Sequence, residues 1–293
     1  MPSQQTLAAG GLATEGEVRT VAYQGIAGAY GEHAAREVAP GAEPRGLPNF
    51  RDVFTAVSSG EADLGVVPVE NSLAGGVHQN DDLLLEHDLH IVGEVVVRVS
   101  HHLLALPGTQ LEDVRRVYSH PQALAQSQGF LDAHGMQAIP VYDTAGAAQE
   151  LSARREPGAA AIASQRAGEL YGLETLAAAI EDETFNFTRF LVLSRSEAGR
   201  VEGAGGRKTS IVFAVRHRPG ALLECLAELK SLNLTRIQSR PRRDRAWSYV
   251  FHVDFEGDAR DATAAEALAG LLHRAAFVKV LGSYPAAVQP VDD

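Results

Sequence analysis

Residues 117–171 read VYSHPQALAQSQGFLDAHGMQAIPVYDTAGAAQELSARREPGAAAIASQRAGELY, and they repeat one simple pattern three times. In each repeat, a short apolar run is followed by polar residues and then by apolar residues at helical spacing. The apolar runs predict strands and lie at 117–118, 138–141 and 160–163. The first of the predicted helices extends through Leu131. Strands that alternate with helices are typical of an α/β domain with a largely parallel sheet.

The same alternation continues on both sides of this stretch. Further strands are predicted at 21–23, 64–69, 91–99, 103–106 and 190–193. Further helices are predicted near 33–39, 50–57 and 83–85. We therefore expect residues 18–195 to form one α/β domain. The preceding residues 1–17 have no basic start followed by an apolar run, so we expect a disordered tail and not a secretion signal.

A glycine-rich segment without apolar periodicity, residues 196–207, predicts a linker. Residues 208–293 then read as a second domain. Its predicted strands lie at 209–215, 234–239, 247–255 and 278–281. One helix follows Pro219-Gly220, with Leu222, Leu223, Leu226 and Leu229 expected on a single face, and another covers 264–275. The order β-α-β-β-α-β is the ferredoxin-like pattern.

Composition and charge exclude several classes of protein. The net charge is −11, and the densest basic stretch, at 240–245, is short, so a nucleic-acid partner is not expected. The apolar runs are too short to span a bilayer, so no membrane partner is expected. Cys225 is the one cysteine. It is predicted to be a small core residue, and the lack of an internal disulfide fits a cytoplasmic location.

Polar residues recur where predicted strands end and helices begin. The clearest cases are the glycines Gly25, Gly28 and Gly31, the segment 119–121 and the segment 143–146. In open α/β sheets the carboxyl ends of the strands face one crevice, and helix N-termini there attract anions. Taken alone, Ser119, Asp143 or Thr144 is better explained as a helix cap. If several of them converge on one crevice, a binding site for a small dianion becomes a competing interpretation.

Other kinds of site are disfavoured by spacing. Gly25, Gly28 and Gly31 do not have the G-x-G-x-x-G spacing of a dinucleotide loop, and no phosphate-loop motif is present. Ser119 and Asp143 do not form a hydrolase triad with the histidine between them, because no G-x-S-x-G elbow exists. The histidines do not occur in an H-E-x-x-H or C-x-x-C motif, so no metal is expected.

The segment Asn186-Phe187-Thr188-Arg189-Phe190 precedes the last strand of the first domain. An arginine there can grip a carboxylate in bidentate fashion, and a threonine can donate a hydrogen bond to a hydroxyl. From composition alone, a strand threonine and a surface arginine are the better explanation of the segment.

Together, these segments resemble the prephenate dehydratase family over nearly the whole ordered chain. The matching motifs are Tyr23-Gln24-Gly25 with Gly28 and Tyr30, residues 67–72 (VPVENS), residues 119–126 (SHPQALAQ), residues 143–146 (DTAG) and residues 186–190 (NFTRF). The resemblance implies a two-lobed catalytic domain like the type II periplasmic binding proteins. It also implies a decarboxylating dehydration of prephenate to phenylpyruvate, in phenylalanine biosynthesis, without a cofactor.

The same resemblance assigns residue roles. Thr188 is implied to be the hydrogen-bond donor to the leaving hydroxyl. The other implied catalytic residues are Glu70, Asn71, Ser119 and Gln126. The implied substrate-binding residues are Gly25, Ser72, Thr144, Ala145, Arg189 and Phe190. The 143–148 segment is similar to the version in relatives that use arogenate, the amino analogue of prephenate, so arogenate or both substrates stay open.

The second domain resembles an ACT regulatory domain. The resemblance implies that it binds L-phenylalanine as an effector and that the chain forms a homodimer or homotetramer. The implied effector residues are Gly220, Ala221, Leu222, Leu223, Asn233, Leu234, Thr235, Ser239 and Arg240. Gln238 departs from the family pattern, which has glutamate there. A different class, a non-catalytic amino-acid sensor, is disfavoured by the retained Thr188-Arg189-Phe190.

Overall fold

Three separate sheets organise the chain. The computed structural model describes residues 18–197, 205–242, 248–288 and 290. The predicted tail at 1–17 and most of the predicted linker therefore lie outside the described residues.

The first lobe contains the N-terminal part of the chain and one later strand. Its elements are β1 Thr20–Gln24, α1 Tyr30–Val38, β2 Glu43–Leu47, α2 Phe50–Ser59, β3 Leu64–Asn71, β4 Gly75–Gly76, α3 His78–Glu86, β5 His90–Arg98 and, much later, β11 Phe187–Ser194. The strands lie in the order β2-β1-β3-β11-β5, and β4 pairs with β3. One face of this sheet packs on α1, and the other face packs on α2 and α3.

The second lobe is formed by the middle of the chain. Its elements are β6 His102–Ala105, β7 Arg116–Ser119, α4 Pro121–Ala125, α5 Gln128–Ala133, β8 Gln137–Pro140, α6 Thr144–Arg154, β9 Ala159–Ala163, α7 Gln165–Tyr171 and β10 Glu174–Ala177. The strands lie in the order β10-β6-β9-β7-β8. Helices α4 and α5 cover one face of this sheet, and α6 and α7 cover the other.

Two expectations for this domain were wrong. The sheets are mixed and not largely parallel, because β11 enters the first sheet, and β6 the second, antiparallel to their neighbours. The helix predicted through Leu131 is broken at Gln126 and Ser127. There the Gln126 carbonyl accepts a hydrogen bond of 2.7 Å from the backbone N–H of Asp182, a residue on the chain returning to the first lobe.

The chain crosses between the lobes twice, and the two crossings lie side by side. The first runs from β5 to β6 and the second from β10 to β11. The backbone N–H of Val99 on the first crossing donates to the carbonyl of Asn186 on the second, at 2.8 Å. A cleft therefore lies between the two lobes beside this double connection.

The C-terminal domain has the predicted β-α-β-β-α-β order. Its elements are β12 Arg207–Ala214, α8 Ala221–Glu228, β13 Leu234–Pro241, β14 Tyr249–Glu256, α9 Ala262–Arg274 and β15 Phe277–Pro285. The strands form one antiparallel sheet in the order β13-β14-β12-β15. Cys225 of α8 is fully buried, as predicted. Leu223 was misplaced by the one-face prediction, because its position on α8 turns its side chain outward and leaves it 73% exposed.

The free face of this last sheet packs directly on the first lobe. Val212, Leu281 and Tyr284 share one hydrophobic core with Leu191 and Leu193 of β11. A Cβ added at Gly282 would overlap the Ile91 carbonyl, so only glycine permits this approach of the β15 and β5 backbones. The strand that carries Thr188 is thus in direct contact with the C-terminal domain.

Candidate active site

A cleft of about 270 Å³ lies between the two lobes. The first lobe supplies a mainly apolar wall that includes Val66, Pro68 and Phe190. The second lobe supplies a polar wall whose lining residues are His120, Gln122, Gln126, Asp143 and Thr144. An apolar ring with polar substituents on one side would be complementary to such a cleft.

Thr188 faces this cleft from β11, and its hydroxyl is held by Asn71. The Asn71 Nδ2 group donates to Thr188 Oγ1 at 3.0 Å. The Asn71 Oδ1 atom accepts from the backbone N–H groups of Leu73 and Ala74, at 3.1 and 2.8 Å. These backbone donors fix which end of the amide faces Thr188. The Thr188 oxygen therefore acts as an acceptor toward Asn71, and its own proton is free to be donated elsewhere.

The hydrogen-bond chain continues from Asn71 across the double connection to the second lobe. Asn71 Nδ2 also donates to Asn186 Oδ1 at 2.8 Å. Asn186 Nδ2 donates to Gln126 Oε1 at 3.1 Å, and His101 Nε2 lies 2.9 Å from the same oxygen. Asn71 and Gln126, both predicted as catalytic, are thus joined to Thr188 in one network that links the lobes.

Helix N-termini surround the cleft, as the positions of the polar residues predicted. Gly25 lines it in the loop before α1, with a left-handed φ of 114° that favours glycine. Thr144 lines it at the start of α6, whose cap is the Asp143 side chain accepting from the Gly146 N–H. The cap reading was thus correct for Asp143, and Thr144 still faces the cleft. Among the described lining residues there is no lysine or arginine.

Five predicted residues lie outside the cleft lining, Arg189 and four others. Ser119 is fully buried and donates its hydroxyl to the Ile162 carbonyl at 2.6 Å. Ala145 is fully buried in the core under α6. Ser72 is exposed and bonds the Phe185 carbonyl at 2.9 Å. Glu70 is turned toward the C-terminal domain, with its carboxylate 4.0 Å from Arg236. These four side chains do not line the cleft in the structure, and their assignment to the substrate stays a prediction.

Arg189 requires the largest correction. Successive strand residues point to opposite faces, so the Arg189 side chain leaves the cleft where Thr188 enters it. Its guanidinium lies 2.6 Å from Asp254 of the C-terminal domain and 3.0 Å from Glu94 of β5. Burial by itself raises the pKa of Asp254, but the charges of Arg189 and Arg236 outweigh it and hold that pKa below its usual value. Arg189 therefore joins the domains.

Several cleft residues were not predicted as site residues. They are Gln24, Tyr30, His101, His120 and Gln122. Tyr30 donates to the Ser100 carbonyl at 2.5 Å and lies 3.5 Å from His101 Nδ1. The available signal for His101 was a polar doublet, 101–102, between two apolar strands.

A second cavity, of about 240 Å³, lies in the C-terminal domain. It is lined by the predicted effector residues Gly220, Ala221, Leu222 and Leu223, together with Arg216, Tyr249 and others. The remaining predicted effector residues, Asn233, Leu234, Thr235, Ser239 and Arg240, lie on or beside β13 and do not line it. Arg240 instead pairs with Asp82 of α3 at 3.0 Å. Gln238 Nε2 donates to the Ser239 carbonyl at 3.1 Å.

The described residues include no cluster of three or more metal-ligating side chains. None of the helices in the described ranges is both long and apolar enough to span a bilayer.

Comparisons with known proteins agree with this geometry. Residues 21–198 match the family model of prephenate dehydratase. An Arabidopsis thaliana relative, arogenate dehydratase/prephenate dehydratase 2, chloroplastic, is 46% identical over 277 residues, which cover 90% of this chain and 72% of the relative.

Two solved structures are similar over most of their length. The prephenate dehydratase from Arthrobacter aurescens in complex with L-Phe is 34% identical, with a TM-score of 0.83, covering 91% of this chain and 89% of that one. GqqA, described as a novel type of quorum quenching acylase, is 38% identical, with a TM-score of 0.85, covering 92% and 98%. The family model and the relatives, which match over most of their length, support the same assignment. The chain belongs to the prephenate dehydratase family and is a dehydratase.

Proposed function

We propose that this dehydratase acts on prephenate, or on its amino analogue arogenate, in the cleft between the two lobes. The observation that carries the proposal is the state of the Thr188 hydroxyl. It faces the cleft, accepts from Asn71 at 3.0 Å and so has its proton free to donate toward a leaving hydroxyl. The product is phenylpyruvate from prephenate or phenylalanine from arogenate.

The reaction breaks two bonds and consumes one proton. The bond from the ring to its carboxylate breaks, and its electron pair enters the ring as carbon dioxide leaves. The opposite C–O bond breaks, and the departing hydroxide takes a proton to become water. Because charge develops on that oxygen in the transition state, a fixed donor such as Thr188 stabilises the transition state more than the bound substrate.

The cleft supplies the remaining requirements through its two unlike walls. The N-termini of α1 and α6 present backbone N–H groups and partial positive charge, which suit the carboxylates of the substrate. Val66, Pro68 and Phe190 offer an apolar surface to the ring that becomes aromatic. Orientation of the substrate between these walls is itself a large part of catalysis.

We further propose that the C-terminal domain is an ACT domain that takes L-phenylalanine as an effector. Its fold, its second cavity and the likeness to a prephenate dehydratase in complex with L-Phe support this role. A signal has a direct physical route, since Arg236 pairs with Asp81 of α3 at 2.9 Å and Asp254 pairs with Arg189 next to Thr188.

A homodimer or homotetramer remains part of the proposal. The exposed large apolar residues of the C-terminal domain support it: Leu223, Ile237, Tyr249, Leu272, Phe277 and Val280. A second copy would also be able to bring β13 residues next to the cavity that they do not line within one chain. The cytoplasmic location stays a prediction, since the Arabidopsis relative is chloroplastic.

The test is an assay of the purified protein with each substrate in parallel. Formation of phenylpyruvate from prephenate, or phenylalanine from arogenate, is the expected result, and the ratio of the two values of kcat/KM gives the preference. A third arm measures hydrolysis of an acyl amide, because GqqA is described as an acylase. Activity in that arm alone would contradict the proposal.

A further inference from the structure

His101 is a buried histidine at the end of the hydrogen-bond chain that begins at Thr188. It is 2% exposed and lies on the first crossing between the lobes, at the edge of the cleft. Its backbone N–H donates to Glu181 Oε2 at 2.8 Å, and its ring Nε2 lies 2.9 Å from Gln126 Oε1. It is therefore held from three sides, since Tyr30 approaches its Nδ1 at 3.5 Å.

The Asn71 end of this hydrogen-bond network fixes which atom donates and which accepts in each of its bonds. Two backbone N–H groups, of Leu73 and Ala74, occupy Asn71 Oδ1 and so turn Asn71 Nδ2 toward Asn186. Asn186 must then accept with Oδ1 and donate with Nδ2. Its donation makes the Gln126 atom that faces it an acceptor oxygen.

This direction determines the protonation of the histidine ring. Gln126 Oε1 is an acceptor, so His101 must donate to it, and its Nε2 carries a hydrogen. Asn186 and His101 then occupy both acceptor positions of Gln126 Oε1. The NH₂ group of the same carboxamide is turned the other way, and Gln126 lines the cleft.

We propose that His101 is a positioning residue, whose Nε2–H holds the Gln126 carboxamide with its NH₂ group presented to the substrate. His101 acts through Gln126 and not by contact with the reacting atoms. The inference rests on the proposed dehydratase activity, because Gln126 is its point of contact with substrate. The same chain ends at Thr188, so the two cleft donors are oriented together from both lobes.

The titratable groups that face His101 are the Tyr30 hydroxyl of α1, the Glu181 carboxylate on the second crossing and the adjacent His102. Burial of the ring, and not the charge of these neighbours, favours its neutral form. Burial lowers the pKa of His101 below the usual histidine value, although Gln126 and Glu181 act in the opposite direction. Burial and Glu181 raise the pKa of Tyr30, so its hydroxyl stays protonated and donates to Ser100.

The first test is a double-mutant cycle on kcat/KM. His101→Leu removes the donor and should lower kcat/KM on the order of 10²-fold, the usual cost of misplacing a catalytic group. His101→Gln places an amide N–H near the position of Nε2 and should recover most of that loss. In a Gln126→Ala background, His101→Leu should have no further effect, because its only route to the substrate is gone.

The matched control is His102→Leu, because His102 is the neighbouring, half-buried histidine at the start of β6 and does not line the cleft. It should leave kcat/KM unchanged. A merely structural role for His101 would give additive losses in the cycle and no recovery with glutamine.

A second measurement uses the wild-type protein and does not depend on the leucine variant folding. Nitrogen-15 NMR of the histidine rings, assigned with His101→Gln, should give a neutral ring for His101 with hydrogen on Nε2 at pH 7. Hydrogen on Nδ1 alone, or a His101→Leu loss that persists undiminished without Gln126, would overturn the proposal. An inactive wild-type enzyme would instead refute the proposed function, so the two failures are distinguishable.

Discussion

Replacing Arg189 with methionine tests whether this residue joins the domains or grips the substrate. In the structure its guanidinium lies 2.6 Å from Asp254 and 3.0 Å from Glu94, and the side chain is buried. Glu94 would keep a second partner, Lys208, at 2.7 Å. Asp254 would keep the Ser210 hydroxyl at 2.6 Å but lose its adjacent cation. Asp254 then keeps only the charge of Arg236, without a directly paired cation. The expected cost is about 3 kcal/mol, the low end for a broken buried pair.

The assay is urea unfolding followed by circular dichroism, run beside steady-state kinetics. A loss of about 3 kcal/mol corresponds to a midpoint shift on the order of 1 M. Adding Asp254→Asn to the methionine variant removes the stranded charge and should restore about half of the lost stability. KM should stay near the wild-type value in both. Unchanged stability with a KM about tenfold higher, or about 1.4 kcal/mol of lost binding, would refute the reasoning.

Three further predictions concern the cleft, a buried acid and the second cavity. Thr188→Ala should lower kcat by about 10²- to 10³-fold, the effect of removing one fixed donor, whereas Thr188→Ser should retain most activity in the same assay. Burial raises the pKa of Glu37 to about 7, so the wild type loses relative stability as pH rises from the unfolded value of about 4.3 through 7. Glu37→Gln should therefore be more stable in urea at pH 8 by about 1–2 kcal/mol and equal to wild type at pH 4; a gain of the same size at both would contradict this cause. Leu223→Asp places a charge at the edge of the second cavity and should weaken the response to L-phenylalanine about tenfold, whereas Leu272→Asp, a change at another exposed leucine outside it, should not; equal response curves for the two variants would place the effector elsewhere.

Much of the fold was predictable because hydrophobic periodicity reports local structure. The alternation of strands and helices in 117–171 and the β-α-β-β-α-β order of the second domain were confirmed. Strand β2 was missed, because Glu43, Pro44 and Arg45 break the apolar alternation that marks a half-buried strand. The antiparallel entry of β11 was not predictable from pattern alone. It follows from the chain crossing back between the lobes, a long-range event that no local period encodes.

The candidate site was predictable only for motif residues whose side chains also point into the cleft. Thr188 and Asn71 occur in specific segments and converge in the cleft. Arg189 was assigned to the substrate by the family resemblance, although alternation along a strand already points it to the face opposite Thr188. His101 escaped notice because its importance depends on Gln126 and Asn186, which are distant in the chain and meet only at the crossing.

We propose that one cleft removes carbon dioxide and water together, with Thr188 assisting the departure of the hydroxyl. The most direct measurement follows carbon dioxide and aromatic product at the same time, for the wild type and for Thr188→Ala. We expect equal molar amounts of the two products from the wild type and a rate at least about 10²-fold lower in the variant. Unequal amounts of the two products, or a variant that matches the wild-type rate, would contradict it.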